Sequence, residues 1–131
     1  MEDSVCLDTD ILIDLLRNKQ EVVKWINENQ EKVTLATTII NVFELYCGIY
    51  NYEFPEKKIE AVEELLSTLI ILDLSLDIVQ NASKEYGKLR KEGQLIGNED
   101  LLIGATAFSA GFVLKTNNKK HFERIKGLKL I

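Results

Sequence analysis

The chain has 131 residues, of which 46% are hydrophobic and 28% charged, a balance typical of one globular domain with a sizeable core. The acidic start leads into no long apolar run, and no stretch is long enough to cross a bilayer, so we expect neither a signal peptide nor a membrane span. The net charge is −5, yet residues 84–131 hold 10 Lys and Arg against 5 Asp and Glu. This basic part permits a surface for a polyanion, and a solvated mixed-charge surface is the alternative.

The apolar pattern predicts short strands that alternate with amphipathic helices. The predicted elements are, in chain order, strand 5–7, helices 11–17 and 21–29, strand 33–36, helices 39–50 and 56–69, strand 70–72, helices 75–91 and 98–110, strand 112–114, helix 119–124 and a candidate edge strand 128–131. Thr38 and Ser75 are expected N-caps, and Gly93 and Gly111 are expected helix ends. The alternation predicts an α/β fold with a parallel central sheet sandwiched by helices, and the lack of linkers predicts one domain over residues 1–131.

The two cysteines are not spaced as a CxxC pair. Cys6 and Cys47 both lie among apolar neighbours, so we expect two buried thiols in a reducing cytoplasm rather than a disulfide or a zinc site.

Three acids interrupt apolar stretches that are far apart in the sequence. Asp8 follows the first strand, Glu44 lies in the helix after the second, and Asp100 lies in the first turn of the 98–110 helix, where the helix dipole favours an anion. Asn118 follows the fourth strand. Ligands of parallel sheets bind beyond the carboxyl ends of the strands, so these side chains are predicted to converge there.

Converging carboxylates need a cation, because two unit charges 4 Å apart repel by about 4 kcal/mol at an effective dielectric constant near 20. Oxygen ligands alone suit Mg²⁺, with Mn²⁺ as a second possibility. No His or Cys pair is spaced for zinc, and His121 stands alone. The plainer alternative is that each acid caps a helix or pairs with a Lys or Arg.

Four segments, taken in order, resemble the motifs of PIN domains. They are residues 5–12 around Asp8, residues 41–48 around Glu44, residues 96–105 around Asp100, and residues 115–122 around Asn118, followed by Gly127 and Leu128. They cover nearly the whole chain and are typical of VapC-type toxins of toxin–antitoxin pairs. The resemblance implies a Mg²⁺- or Mn²⁺-dependent endoribonuclease that leaves a 5′-phosphate and a 3′-hydroxyl. It also implies a homodimer held inactive by a small antitoxin.

From the residues and the resemblance together we expect a role for each site residue. Asp8 and Asp100 would be the principal metal ligands, and Glu44 would bind a metal-bound water or a second ion. Asn118 would orient water; the family accepts Asn or Asp there, and the missing charge would weaken a second metal. Thr9 and Thr116 are candidates to hold the carboxylates in place. The cations expected to contact the RNA backbone are Lys119, Lys120 and Arg124.

Several alternatives stay open at this point. Asp8-Thr9-Asp10 is also a D-x-D motif, which would make Asp8 the nucleophile of a haloacid-dehalogenase-like phosphatase. An RNA- or protein-binding module without activity is a further alternative. Asp10 either lines the site or caps the first helix, and the cap is favoured.

An aromatic cluster lies within and after the 39–50 helix. Phe43 and Tyr46 are expected in the core. Tyr50, Tyr52 and Phe54 either join the core or line a groove for an antitoxin helix.

Overall fold

The computed structural model describes residues 3–131; Met1 and Glu2, part of the acidic start in which no signal peptide is expected, lie outside the described residues. The strands are β1 (Ser4–Leu7), β2 (Thr34–Thr38), β3 (Ile70–Leu72) and β4 (Val113–Lys115). The helices are α1 (Thr9–Leu16), α2 (Gln20–Asn29), α3 (Ile39–Ile49), α4 (Glu56–Leu66), α5 (Leu76–Lys91), α6 (Asn98–Ala110) and α7 (Lys119–Phe122). None of these helices is both long and apolar enough to span a membrane.

The four strands form one sheet in the order β3-β2-β1-β4, and all of its pairs are parallel. The register aligns Cys6 of β1 with Ala36 of β2 on one side and with Leu114 of β4 on the other. β1 is therefore an inner strand, and its three apolar residues are completely buried. This confirms the predicted α/β sandwich around a parallel sheet.

The two faces of the sheet carry separate cores, because successive side chains of a strand point to opposite faces. Cys6 packs with α5, α6 and Phe122 of α7 on one face. Val5 and Leu7 pack with residues of α1, α2 and α4 on the other. α3 contributes to both cores, through Ile40 to the first and through Leu45 to the second. This position brings the start of α3 close to the end of β1.

The helix ends follow the predicted signals to within three residues. Thr38 and Ser75 cap α3 and α5 through their side chains, and Gly111 ends α6 with a φ of 75°, a conformation that glycine adopts without strain. α4 ends at Leu66, three residues before the predicted end. The predicted edge strand 128–131 is reduced to a single bridge between Leu114 and Leu130.

The expected burial of Phe43 and Cys47 on α3 was wrong. Phe43 is 62% exposed, and Cys47 one turn later is also exposed, whereas Cys6 is buried as expected and its burial raises the thiol pKa to about 12. Tyr46 is partly buried against the second core. α3 is apolar on nearly every side, so the sequence pattern did not reveal which side the fold leaves uncovered.

Gly104 provides a test of the packing between α6 and the C-terminal segment. A Cβ atom built at this position would overlap Ile125 Cδ1 and lie 3.3 Å from Leu128 Cδ2. We expect Gly104→Ala to destabilise the protein by about 1–3 kcal/mol, since overpacking a filled core forces its neighbours to move. The measurement is the free energy of unfolding in urea.

Gly87→Ala is the matched control, because Gly87 also lies inside a helix but a Cβ there would meet no atom within 4 Å. Its expected effect is a stabilisation of about 0.5–1 kcal/mol through helix propensity. Equal effects of the two substitutions would contradict the close packing at Gly104.

Candidate active site

Asp8 lies at the carboxyl end of β1 and is the N-cap of α1. Its Oδ1 accepts hydrogen bonds from the Thr9 amide at 2.9 Å and from Asn41 Nδ2 at 3.0 Å. Its Oδ2 accepts one from Thr116 Oγ1 at 2.7 Å. The residue is only 6% exposed, and no salt bridge among the described residues involves it. The fold thus surrounds a buried carboxylate with neutral donors.

Asn41 connects two elements of the site and was missed by the sequence analysis as a functional residue. Its Oδ1 accepts from the amide and the hydroxyl of Thr38, which completes the capping box at the start of α3. Its Nδ2 donates to Asp8 and to Thr9 Oγ1. The side chain is completely buried. The Thr-x-x-Asn spacing before an apolar helix was the available signal.

Glu44 lies one turn after Asn41 on α3 and is joined to Asp8 through Thr9. The Thr9 hydroxyl donates to Glu44 Oε1 at 2.6 Å while it accepts from Asn41 Nδ2 at 2.9 Å. Thr9 therefore makes the contact that the sequence analysis expected of it. Its hydrogen bonds fix the distance between the end of β1 and the carboxylate of α3.

The loop after β4 approaches Asp8 from the other neighbouring strand. Thr116 donates to Asp8 and accepts from the Asn118 amide at 2.9 Å, so its hydroxyl group links Asn118 to the Asp8 carboxylate. The Asp8 amide itself donates to the Lys115 carbonyl at 3.0 Å. Parallel neighbours end at the same edge of a sheet, which is why Asp8 and this loop meet.

Asp100 lies in the first turn of α6, as predicted, and its side chain is 24% exposed. His121 Nδ1 lies 3.2 Å from Asp100 Oδ2 and 2.8 Å from Asn118 Nδ2. His121, the single histidine of the chain, stands between two of the predicted site residues. The signal was its spacing of three residues from Asn118, one turn of α7.

The pKa directions show that the acids act on one another. Burial is the largest cause that raises the pKa of Asp8, and Asp10 and Asp100 raise it further. Burial also leads in raising the pKa of Glu44, to which Asp8, Glu99 and Asp100 add. These carboxylates form one electrostatic cluster, and neither Asp8 nor Glu44 has a Lys or Arg partner within residues 3–131.

The donor set fits a hard divalent cation better than zinc. It consists of carboxylate, amide and hydroxyl oxygens with one imidazole, and Mg²⁺ binds through one or two carboxylates while it keeps several waters. Over residues 3–131, no three His, Cys, Asp or Glu side chains are grouped as a set that could hold a metal ion. The predicted ligands Asp8, Glu44 and Asp100 are therefore not grouped as one three-carboxylate set among these residues.

Asp10 does not cap α1, contrary to the favoured expectation. Asp8 is the N-cap, and Asp10 lies in the first turn, where its Oδ2 accepts from the Asn117 amide at 3.0 Å. Its other oxygen, Oδ1, is buried without a hydrogen-bond partner.

The predicted RNA-contacting cations differ in their surroundings. Lys119 and Lys120 are exposed at the start of α7. Arg124 donates from Nη1 to the Leu95 carbonyl at 2.8 Å and so also supports the segment before α6. Lys115 lies with its Nζ 4.7 Å from the centre of the Trp25 ring; burial, followed by Lys119 nearby, lowers its pKa.

A mainly apolar cavity of about 370 Å³ lies beside the site, between α1, α3 and α4. Its lining includes Leu45, Ile49 and Val62, and Glu44 belongs to it as well. All three of Tyr50, Tyr52 and Phe54 are exposed, and of these Tyr52 also lines the cavity. The aromatic cluster of the sequence analysis is thus divided between a groove wall and the open surface.

The raised pKa of Asp8 predicts a specific pH dependence of stability. Because the folded-state pKa of Asp8 is raised above its ordinary value of 3.8, ionisation of Asp8 opposes folding, and the wild type loses this cost as the pH falls from 7 towards 3.8. Asp8→Asn is neutral throughout. In EDTA we expect it to melt at a higher temperature than wild type at pH 7, with a difference that narrows towards pH 3.8.

Asp77→Asn is the control, because Asp77 is an exposed acid in the first turn of α5. Asp77→Asn should not raise the melting temperature at pH 7. If the difference in melting temperature between Asp8→Asn and the wild type widened as the pH falls, the burial of an ionised Asp8 would not be what destabilises the wild type.

Two alternatives of the sequence analysis are not supported by these findings. Asp10, the second acid of the D-x-D motif, holds a backbone amide of the neighbouring loop. The acids expected of a nuclease lie at one edge of the sheet, which also disfavours a binding module without activity.

The model of the PIN domain matches residues 5–128. Ribonuclease VapC2 of Haemophilus influenzae is 36% identical over 124 residues, which cover 94% of this chain and 92% of that protein. The tRNA(fMet)-specific endonuclease VapC of Shigella flexneri is 30% identical over 124 residues, with coverages of 94% and 92%. A crystal structure of VapBC2 from Rickettsia felis bound to a promoter DNA fragment superposes with a TM-score of 0.91 at 28% identity and covers 98% of this chain and 97% of that one.

The match over nearly the whole chain agrees with the parallel sheet and with the acidic edge at which Asp8, Glu44 and Asp100 lie. The chain belongs to the PIN-domain family.

Proposed function

We propose that this protein is a metal-dependent endoribonuclease that hydrolyses RNA phosphodiester bonds and acts as the toxin of a type II toxin–antitoxin pair. The observation that carries the proposal is the burial of Asp8 at the sheet edge, with neutral donors on both oxygens and with other carboxylates near it. No Lys or Arg within residues 3–131 forms a salt bridge with Asp8 or Glu44, so a divalent ion is the cation that would balance their charge. The names of the VapC relatives support the substrate class.

Mg²⁺ is the proposed ion, with Mn²⁺ as the alternative. Asp8 and Asp100 would hold it directly or through water, and Glu44 would bind a metal-bound water or a second ion. When bound, the ion lowers the pKa of a water ligand and neutralises charge on the attacked phosphodiester. Asn118 carries no charge and lies beside Asp100 through His121, a place from which it would orient water.

Thr9 and Thr116 would position the ligands rather than bind the metal. Thr116 bonds Asp8 and Thr9 bonds Glu44, so each hydroxyl restrains one carboxylate. Asn41 would add a third restraint, because its amide holds Asp8 and Thr9 together. Groups of this kind typically change metal affinity or activity by about 10–100-fold when they are removed.

We infer a small antitoxin protein as a partner, because solved relatives are VapBC complexes. The cavity between α1, α3 and α4 suits an apolar segment, and basic side chains of Arg17, Lys57 and Lys58 stand at its lining. Glu44 belongs to both the cavity and the carboxylate cluster. A partner seated there would contact the active site, which offers a route to inhibition.

We also infer a homodimer in the cytoplasm. Ile39, Phe43 and Cys47 follow one another at single-turn spacing along α3, and all three are exposed. An uncovered apolar stripe of this kind favours contact with another protein surface, here a second copy. The free thiols of Cys6 and Cys47 and an RNA substrate both suit the reducing cytoplasm.

The proposed activity is tested with protein freed from any co-purified partner. We expect it to cleave total tRNA or single-stranded RNA with Mg²⁺ or Mn²⁺ and to be inactive in EDTA. Asp8→Asn should lose at least about 100-fold in rate, and Thr116→Val about 10–100-fold, because it keeps the shape but removes the hydroxyl. Gel analysis of product ends, with a 5′-phosphate expected, completes the measurement.

Metal binding has a readout independent of RNA. Mg²⁺ should raise the melting temperature of the wild type, EDTA should reverse the effect, and Asp8→Asn should reduce it. Unchanged cleavage by folded Asp8→Asn would contradict the assignment of the active site. A melting temperature that neither Mg²⁺ nor EDTA changes would favour the alternative that these acids cap helices or form ion pairs.

Lys119 and Lys120 generate a separate prediction about RNA binding. Reversing both to Glu should weaken binding, and each lost phosphate contact should reduce the slope of log affinity against log salt by about 0.7 for single strands. Anisotropy titrations at several salt concentrations, in the Asp8→Asn background to prevent cleavage, give this slope.

The control reverses Lys84 and Lys88, two exposed lysines of α5, and changes the net charge by the same amount. It should leave the slope nearly unchanged. Equal slopes for the wild type and the Lys119/Lys120 variant would show that these lysines of α7 do not contact the RNA backbone.

A further inference from the structure

The loop of residues 116–118 is fixed at more than one point. Thr116 bonds the Asp8 carboxylate, and the Asn118 amide bonds the Thr116 hydroxyl. Asn117 stands between them and faces α1 instead. Its amide donates to Asp10 Oδ2 at 3.0 Å, and its side-chain Nδ2 donates to Asp14 Oδ2 at 3.2 Å. One residue of the loop is thus held through its backbone and its side chain by two acids of a single helix.

The two acids lie one turn apart on α1, so both face the loop. Asp14 also pairs with Lys19 at 3.8 Å, which offsets its charge, whereas no salt bridge among the described residues involves Asp10. Asp10 does not serve as the helix cap, because Asp8 does. Its Oδ2 accepts the Asn117 amide, and this hydrogen bond joins α1 to the loop after β4.

Asp10 is held at a cost to the folded state. Its Oδ1 is buried without a hydrogen-bond partner, and an unsatisfied buried polar atom is unfavourable. Burial also raises the pKa of this carboxyl, and Asp14 nearby adds to the effect. The hydrogen bond from the Asn117 amide to Oδ2 is the contact that gives this carboxylate a place in the site.

We propose that Asp10 is a positioning residue, which fixes Asn118 and Thr116 against Asp8 by accepting a hydrogen bond from the Asn117 backbone. This inference rests on the proposed nuclease function for its effect on catalysis. It requires a hydrogen-bond acceptor at position 10 and no negative charge. A metal ligand at this position would require the charge.

Asp10→Asn and Asp10→Ala separate these two requirements. Asparagine keeps a carbonyl oxygen that accepts the Asn117 amide, whereas alanine keeps neither acceptor nor charge. With total tRNA and Mg²⁺, we expect Asp10→Ala to lower kcat about tenfold or more with little change in KM, since misplaced catalytic groups affect the chemical step. Asp10→Asn should keep kcat near the wild-type value.

Asp77→Ala is the matched control, because Asp77 occupies the same second position of α5 that Asp10 occupies in α1. It removes an acid from a helix start but releases no hydrogen bond among the described residues, so kcat should not change. Melting temperatures of all variants show whether a loss of kcat reflects unfolding.

Amide hydrogen exchange tests the same bond without any activity. The Asn117 amide should be protected in the wild type and in Asp10→Asn, and its exchange should accelerate in Asp10→Ala. This arm decides the proposal even if the wild type proves inactive, an outcome that would overturn only the nuclease function. Rapid exchange in Asp10→Asn, or protection in Asp10→Ala, would overturn the proposal.

The kinetic arm has two results that would also overturn it. If Asp10→Asn is as slow as Asp10→Ala, Asp10 acts through its charge. If both variants keep the wild-type kcat, other contacts hold the loop in place.

Discussion

The burial of one carboxylate at the end of an inner strand is the constraint around which the site is built. β1 is buried on both faces, so the residue that follows it emerges where three elements meet, and that residue is Asp8. An ionised group in this place must be satisfied by hydrogen bonds, and the fold supplies them from the next helix, from α3 and from the loop after β4. The elements that surround the site are therefore tied to one another through this side chain.

Much of the fold follows from signals that act locally. Apolar runs, N-caps and terminal glycines each depend on neighbouring residues, and the parallel sheet follows from their alternation. The uncovered side of α3 did not follow, because Ile39, Phe43 and Cys47 look the same as buried residues in a helix that is apolar nearly all round. Exposure there depends on which elements pack against α3, and that is a property of the whole chain.

The site shows the same division between local and long-range information. Acids in apolar surroundings were visible in the sequence because a buried charge is unusual wherever it occurs. Asn41, His121 and the contact between Asp10 and Asn117 were not recognised, because an amide or an imidazole has no unusual neighbours until distant segments meet. The helix-capping role expected of Asp10 was wrong for a related reason: either acid of Asp8-Thr9-Asp10 suits a cap, and tertiary contacts choose between them.

His121 places one ring nitrogen against two different groups, the Asn118 amide and the Asp100 carboxylate. Nδ1 carries either a lone pair, with which it accepts from Asn118, or a hydrogen, which it donates to Asp100. Each tautomer of the neutral ring therefore allows only one of the two hydrogen bonds. With the proton on Nε2, Nδ1 accepts from Asn118; with the proton on Nδ1, it donates to Asp100. If Asp100 binds a cation as proposed, that binding and the hydrogen bond of Asn118 would be linked through the position of a single proton.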